Sequence, residues 1–481
     1  MKSDIIIDNA TVAGSSTLQR QHPVTGETIT TIDVVDTQLA LAAVESAAKA
    51  FTEWKWSGPT QRRQVLLKAA ELLESRLEEF CTVMAAEVGA SRLWAAFNVQ
   101  GSAALFREAA GLATQIQGET LPTDKPGTLS MTVRQGAGVV LSIVPWNGPI
   151  LLGARAIAYP IVCGNTVVFK GSESSPRTHE LLARCMIDAG LPPGVLNFII
   201  AAPADAGEVT ETIIAHPAVK RVNFTGSTKV GRIIAETSAR YLKRSLLELG
   251  GKAPFVVLDD ADIDGAVNAA IFGAFLYQGQ ICMSTERFVV DERIADTFVQ
   301  RFAERAASLQ VEDPRTSAAC VVGPMLSAAS GTRLNAMIDD AVGKGAVIVS
   351  GGKADGARMS ATILDKVVPG MTIYDEETFG PITTVVRVRG DDEAIRVAND
   401  TEYGLSSAVF SGSAQRAMKV ARELEFGCVH INGATVQNEA QAPYGGMKNS
   451  GYGRFDGRAV IEEFTEIKWI TLEDPAQPYP F

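Results

Sequence analysis

The stretch Phe275-Leu-Tyr-Gln-Gly-Gln-Ile-Cys-Met-Ser-Thr-Glu-Arg287 places a cysteine between an apolar, helix-like run and a strand-like run. Gly279 allows the backbone to leave the helix and turn. A thiol on such a turn is a candidate nucleophile, because sulfur attacks carbonyl carbons well even when little of it is ionised. A single cysteine is more often an inert buried thiol. Whether Cys282 is a nucleophile or an inert thiol therefore depends on which functional groups accompany it in the sequence.

Two stretches upstream carry complementary groups. Leu247-Glu-Leu-Gly-Gly-Lys252 contains the carboxylate of Glu248, and Pro145-Trp-Asn147 adds the amide of Asn147 after an apolar run. Thiol, carboxylate and amide donor are the groups needed to form and hydrolyse a thioester.

Length, composition and charge limit the classes of protein to which this chain can belong. A chain of 481 residues predicts two or three domains, and 46% hydrophobic with 21% charged residues is typical of a globular protein. The net charge of -11 argues against nucleic acid and anionic membranes as partners. No apolar run has the length of a membrane span, and the first residues lack a signal-peptide pattern.

The placement of cysteines and histidines indicates the redox compartment of the protein and whether it binds a metal. The six cysteines are spread singly, without a CxxC pair, which favours a reducing cytoplasm. The four histidines form no metal-ligand motif, so we expect no protein-bound metal.

Strand and helix patterns alternate from residue 138 onward. Val139–Val144 and Thr166–Lys170 are predicted strands separated by a helix, and a second alternating unit begins at Pro254. This alternation predicts an α/β fold with doubly wound parallel sheets, whose ligands bind beyond the carboxyl ends of strands. Asn147, Lys170 and residues 225–227 all lie at such ends.

Four other segments have their own patterns. We expect one long helix over 59–88, a strand over 370–389 and a functional loop over 433–457. Residues 459–472 read as a helix followed by a strand.

Five motifs occur in one order, namely the three above with Phe224-Thr-Gly-Ser-Thr228 and Glu376-Glu-Thr-Phe-Gly-Pro381. Together they resemble the aldehyde dehydrogenase superfamily over essentially the whole chain. The motifs over 279–287 and 430–446 are most similar to those of its salicylaldehyde, benzaldehyde and vanillin dehydrogenases.

The resemblance implies an architecture. It has two doubly wound, Rossmann-like parallel-sheet domains, one binding NAD and one catalytic, with a small β element for oligomerisation. The implied bounds are 1–117 and 137–248 for the NAD-binding domain, 249–448 for the catalytic domain, and 118–136 with 460–481 for the oligomerisation element. A homodimer or homotetramer is expected.

The resemblance also assigns roles in the oxidation of a small aldehyde. Cys282 attacks the carbonyl carbon, while the side-chain amide of Asn147 and the backbone N–H of Cys282 stabilise the oxyanion. After hydride leaves for the nicotinamide, Glu248 activates the water that hydrolyses the thioester.

The cofactor site has no GxGxxG opening a helix after a strand. Gly226-Ser-Thr-Lys-Val-Gly231 takes that place, and the resemblance makes it the dinucleotide motif. A carboxylate at Glu173 accepts hydrogen bonds from ribose hydroxyls and repels a 2'-phosphate, which favours NAD over NADP. The cofactor residues implied are Ile143, Pro145, Trp146, Lys170, Ser172, Glu173, Phe224, Gly226, Ser227, Val230, Leu249, Glu377 and Phe379.

Arg155 leaves two substrate classes open. In the salicylaldehyde enzymes an Arg here lines an aromatic pocket, where it can stack on a ring or bond a phenolic oxygen. Succinic semialdehyde dehydrogenases place an Arg here to hold a carboxylate, usually with a serine in the late loop, which 433–441 lacks, and a second Arg near the cysteine. Arg287 is present, but the resemblance shows the same Arg in many relatives that do not take succinic semialdehyde. We favour the aromatic aldehyde. The pocket residues implied are Trp94, Gly148, Leu151, Arg155, Leu276, Ile281, Met283 and Val436.

Two other classes compete. A serine hydrolase lacks GxSxG, and a thiol hydrolase would need a partner such as His430, whose neighbours are typical of a strand core. A non-catalytic protein on this fold would not need the thiol, carboxylate and amide together.

Overall fold

The computed structural model describes residues 1–480. Its strands and helices alternate through most of the chain. In chain order the strands are β1 Lys2–Ser3, β2 Ile5–Ile7, β3 Ala10–Val12, β4 Ser16–Gln21, β5 Thr28–Val34, β6 Thr120–Leu121, β7 Leu129–Gly136, β8 Val139–Ile143, β9 Thr166–Lys170, β10 Leu196–Ile199, β11 Val219–Thr225, β12 Arg244–Glu248, β13 Ala253–Val257, β14 Thr285–Asp291, β15 Val347–Ser350, β16 Thr362–Asp365, β17 Ile382–Val388, β18 Tyr403–Gly404, β19 Ser406–Phe410, β20 Cys428–Ile431, β21 Met447–Lys448, β22 Gly451–Tyr452 and β23 Thr465–Leu472. The α-helices are α1 Thr37–Trp54, α2 Pro59–Ser75, α3 Leu77–Val88, α4 Arg92–Leu112, α5 Pro149–Val162, α6 Pro176–Asp188, α7 Ala206–Ala215, α8 Thr228–Arg240, α9 Ile263–Phe275, α10 Glu292–Ala307, α11 Ala328–Gly343, α12 Thr372–Asp375, α13 Gly390–Asn399, α14 Ala414–Glu423 and α15 Ala459–Phe464.

Two large sheets form the body of the protein. The first has the order β22-β12-β11-β8-β9-β10-β2-β3, with β12 to β10 mutually parallel and antiparallel strands at both edges. The second has the order β15-β16-β17-β14-β13-β19-β20 and is parallel except for β15 at one edge. Parallel neighbours require crossover connections, which the helices supply.

The strands bury both faces, as a doubly wound sheet requires. Along β8, Val139 and Leu141 pack into one apolar cluster, while Val140 between them packs into another. Along β14, Phe288 and Val289 are divided in the same way. Because successive strand side chains point to opposite faces, each sheet has helices and a core on both sides. The predicted fold class is confirmed.

A separate small sheet joins the chain's tail to residues 120–136. In it β23 pairs antiparallel with β7 over eight positions, and β6 adds a third strand. Its side chains include Ile467, Trp469 and Leu472, each more than half exposed. Within residues 1–480, no helix combines the length and the apolar character needed to cross a membrane.

Three predicted elements differ from the structure. The helix expected over 59–88 is two helices, because Arg76 leaves helical geometry (φ -103°, ψ 17°) and its guanidinium reaches Asp188 on α6 at 2.5 Å. The strand expected over 370–389 begins only at Ile382, after the short helix α12. The loop 433–457 contains β21 and also β22, which pairs with β12.

The core of the second sheet supports a stability test. Phe255 is fully buried on β13, 4.8 Å from the ring of Phe410 and 5.1 Å from that of Phe288. Phe255→Ala should lower the free energy of unfolding by about 3–5 kcal/mol, since it removes a packed ring and leaves a cavity. Urea unfolding followed by fluorescence measures the change. Phe272→Ala, at a ring 41% exposed on α9, is the matched control. Equal losses in the two variants would contradict this packing.

Candidate active site

The thiol lies beyond a strained turn that follows α9. Tyr277, Gln278 and Gly279 all have positive φ, at 50°, 51° and 67°. Residues without glycine's freedom adopt this geometry at a cost of roughly 1–2 kcal/mol each. The Tyr277 hydroxyl donates to the Val88 carbonyl at 3.0 Å, and the Gln278 amide donates to the Gly89 carbonyl at 3.1 Å. These bonds fix the turn from the end of α3.

The three predicted catalytic side chains come together. Cys282 and Glu248 line one cavity with Asn147, although Glu248 ends β12 of the first sheet and Cys282 precedes β14 of the second. The Asn147 side-chain amide donates to the Gln280 carbonyl at 3.0 Å, beside the thiol. The Trp94 indole N–H donates to the Asn147 carbonyl at 2.8 Å. This bond fixes the backbone that carries the amide.

Tyr444, which the sequence did not single out, links the thiol to the carboxylate. Its hydroxyl is 3.4 Å from Cys282 Sγ and donates to Glu248 Oε1 at 3.3 Å. Burial raises the pKa of the Cys282 thiol well above its ordinary value, and the Glu248 carboxylate adds to that rise. Burial also raises the pKa of Glu248, while the positive charge of Arg155 opposes the rise.

Arg155 is buried and already paired. Its guanidinium contacts both carboxylate oxygens of Asp456, at 3.1 and 2.7 Å, and donates to Asn438 Oδ1 at 2.8 Å. It lies 4.4 Å from the centre of the Tyr444 ring. Sequence reasoning missed Asp456, which lies 301 positions further along the chain.

All thirteen predicted cofactor residues line two cavities that share Pro145, Thr225 and Gly226. One is the catalytic cavity. The other extends past the ends of β8, β9 and β11 to Lys170 and Glu173. Helix α8 begins there, with the Ser227 hydroxyl accepting from the Val230 N–H at 3.4 Å. Further residues line this cavity without any motif to mark them, namely Ala206, Gly207, Thr210, Glu211, Ile233 and Thr237.

Glu377 and Phe379 reach the catalytic cavity from the turn after α12. The backbone N–H groups of Thr378 and Phe379 donate to the Glu286 carboxylate at 2.8–3.0 Å. Lys252 pairs with the same carboxylate at 2.8 Å, and both side chains are buried. Burial raises the pKa of Glu377 to about 8, with the nearby charge of Glu286 as the second cause. Glu377 accepts from the Gly251 N–H at 2.8 Å.

Most residues predicted for the substrate pocket form one buried apolar cluster against which Cys282 packs. The predicted pocket residues that belong to this cluster are Trp94, Leu151, Leu276, Ile281, Met283 and Val436. Gly148 is the residue before α5. The ring of Trp94 stacks on that of Tyr277 at 5.2 Å. The catalytic cavity itself is lined on its apolar side by Trp146, Leu152 and Phe379.

A family profile described as the aldehyde dehydrogenase family matches residues 11–470. This chain belongs to the aldehyde dehydrogenase family. The resemblance inferred from its motifs is therefore confirmed.

Three relatives of this family member are informative. The chain is 59% identical to a salicylaldehyde dehydrogenase from Pseudomonas putida G7, whose crystal structure complexed with salicylaldehyde superposes with a TM-score of 0.99 over 100% of both chains. It is 52% identical to a vanillin dehydrogenase from Pseudomonas sp. (strain HR199 / DSM 7063), over 96% of each chain. It is 34% identical to PnpE, crystallised in complex with nicotinamide adenine dinucleotide, with a TM-score of 0.95 over 100% and 99% of the two chains.

The lining of the catalytic cavity does not include Arg287 or His430, the residues on which the alternative interpretations depend. Arg287 is fully buried and donates to the backbone carbonyls of Val397 and Asp400, at 3.0 and 2.8 Å. His430 lies on β20 of the second sheet. Among residues 1–480, no group of three or more His, Cys, Asp or Glu side chains is arranged to hold a metal ion.

Proposed function

We propose that this protein oxidises aromatic aldehydes to carboxylic acids with NAD, through a thiohemiacetal and a thioester on Cys282. The observation that carries the proposal is the convergence of Cys282, Glu248 and Asn147 beside a dinucleotide-sized groove. The 59% identity to a salicylaldehyde dehydrogenase supports the substrate class.

Each catalytic group has one task. The Cys282 thiolate attacks the aldehyde carbon, and the Asn147 amide with the Cys282 backbone N–H donates to the oxygen that becomes negative. NAD, when bound, accepts the hydride that leaves the thiohemiacetal. Glu248 then takes a proton from water, which attacks the thioester and releases the acid. The buried cluster behind Cys282 keeps other water away.

NAD rather than NADP is proposed from the adenosine end of the groove. Lys170, the last residue of β9, and Glu173, three residues later, lie there together. The Glu173 carboxylate accepts hydrogen bonds from ribose hydroxyls and repels a 2'-phosphate. We assign Glu377 and Phe379 to the nicotinamide side, because they line the cavity that contains Cys282.

The proposal of an aromatic substrate rests on the ion pair that Arg155 forms with Asp456. Asp456 neutralises its charge, and both side chains are buried. A substrate carboxylate in this region would meet no free cation at Arg155 and would face the Glu248 carboxylate. Burying an anion without its partner costs about 2–5 kcal/mol.

The substrate preference is therefore testable on the unmodified enzyme. With NAD in excess, kcat/KM for salicylaldehyde and benzaldehyde should exceed that for succinic semialdehyde by about thirtyfold or more, the equivalent of 2 kcal/mol. Absorbance at 340 nm measures NADH, and the same panel with NADP compares the cofactors. A preference for succinic semialdehyde over every benzaldehyde would contradict the aromatic assignment.

The role of Glu248 is tested by Glu248→Gln. The thioester should form and then persist, because hydride transfer precedes the step that needs the base. We expect a burst of about one NADH per active site followed by a steady rate lower by about 10²–10⁴-fold. Rapid-mixing absorbance at 340 nm follows both phases. Cys282→Ala, the control, should bind NAD without any burst. A Glu248→Gln variant that binds NAD and gives no burst would place Glu248 in an earlier step.

We also propose that the protein assembles as a homodimer or dimer of dimers through the small sheet, with 118–136 and 460–481 as the assembly element. The exposed apolar side chains of β23 support this, since such patches mark interaction sites. We retain 1–117 with 137–248 as the NAD-binding domain and 249–448 as the catalytic domain. The free cysteines fit a reducing compartment, and we propose the cytoplasm.

Deleting 466–481 tests the assembly. Removing β23 should leave one edge of β7 unpaired and produce smaller, less soluble particles. Light scattering gives the molecular mass. Deleting only 474–481, which leaves β23 intact, should preserve the assembly. If the longer deletion left the number of subunits unchanged, the proposed interface would be wrong.

A further inference from the structure

The Tyr444 hydroxyl lies between the two groups that react at different stages. It is 3.4 Å from Cys282 Sγ and 3.3 Å from Glu248 Oε1, and of the three side chains only that of Cys282 is not fully buried. Burial raises the pKa of Tyr444 well above its ordinary value, so the phenol keeps its proton. A protonated phenol donates one hydrogen bond at a time. Here it has two acceptors within reach.

Contacts with Phe455 and Arg155 also hold Tyr444 in place. Its backbone N–H and C=O pair with those of Phe455, both at 2.8 Å. The Arg155 guanidinium, fixed by Asp456 and Asn438, lies 4.4 Å from the ring centre. A cation at that distance attracts the face of the ring. The position of the hydroxyl is therefore set by a shell of contacts rather than by the Cys282 and Glu248 contacts alone.

We propose that Tyr444 is a further catalytic residue, whose hydroxyl donates to the Glu248 carboxylate in the resting site and to the Cys282 thiolate once the nucleophile forms. The inference rests on the proposed function for the identity of the nucleophile. Arg155 is then a positioning residue, which acts through the Tyr444 ring.

The charges around Cys282 explain why the donor matters. The carboxylates of Glu248 and Glu377 face the thiol and disfavour its ionised form. The positive charge of Arg155 lies behind Tyr444 and is balanced by Asp456. A hydrogen bond donated to the thiolate favours that form against the two carboxylates. Once the sulfur is acylated it is a poor acceptor, and the phenol can return to Glu248 Oε1.

Tyr444→Phe removes the hydroxyl and keeps the ring on Arg155. The probe is iodoacetamide, which alkylates the thiolate without aldehyde or NAD. Alkylation of Cys282 across pH, followed by mass spectrometry of the labelled peptide, gives the midpoint of ionisation. We expect this midpoint to rise by about one pH unit, so that labelling below it slows about tenfold.

Tyr374→Phe is the matched control. Its hydroxyl is also on a buried tyrosine, but it donates to Asp400 at 2.8 Å in the second sheet's domain. Its alkylation midpoint should equal that of the unmodified enzyme. A midpoint in Tyr444→Phe that is unchanged or lower would overturn the proposal. If Tyr444 had only a structural role, Tyr444→Phe would reduce activity without moving the midpoint. That result would also overturn the proposal.

The substrate panel separates this inference from the proposed function. If the unmodified enzyme produced no NADH from any aldehyde, the proposed function would fail whatever the alkylation result. If the panel succeeded and the Tyr444→Phe midpoint stayed in place, only the role of Tyr444 would fail.

Discussion

A buried ion pair between Lys252 and Glu286 joins the segments that carry Glu248 and Cys282. Lys252 lies between β12 and β13, four residues after Glu248, the proposed base. Glu286 lies on β14, four residues after Cys282, the proposed nucleophile. Their contact at 2.8 Å therefore joins the segment after Glu248 to the strand after Cys282. Removing one partner of such a pair costs about 3–5 kcal/mol, because the other charge remains buried and unpaired.

The remaining bonds of the pair extend its influence to the cofactor side. Lys252 also donates to the Glu376 carbonyl at 2.7 Å, and Glu286 accepts from the backbone of Thr378 and Phe379. Phe379 itself has a positive φ of 46°, which a free loop would avoid. Full satisfaction of the two charges thus fixes a strained backbone that presents Glu377 and Phe379 to the cavity. Stability and cofactor geometry depend on the same few atoms.

The sequence was informative where chemistry follows local pattern. The strand predicted over Val139–Val144 is β8, which ends one residue earlier. The strand could be predicted because Gly138 and Pro145 bound its apolar run. The thiol, carboxylate and amide that line one cavity were each singled out from a short motif. The break at Arg76 was not found, because no glycine or proline marks it and the apolar stripe continues through it. At that boundary the Arg76 side chain pairs with Asp188 of α6, a contact that local propensity does not reveal.

Long-range pairing explains what the site analysis missed. Arg155 could be interpreted as a pocket cation because its partner Asp456 lies 301 positions further along the chain. Tyr444 lay in a glycine-rich stretch that predicts a loop and gives no sign of which side chain turns inward. The small pairing of β22 with β12 brings that loop against Glu248. Single-sequence patterns carry no record of such contacts.

The turn at Tyr277 and Gln278 has a consequence for engineering. Gln278→Gly would relieve the left-handed backbone at this position. The same change would remove the amide that donates to the carbonyls of Gly89 and Pro324 and holds the turn. Both carbonyls would lose a buried partner, so the lost hydrogen bonds offset the relief of strain. A variant without the strained backbone would therefore also lack the contacts that position the turn before Cys282.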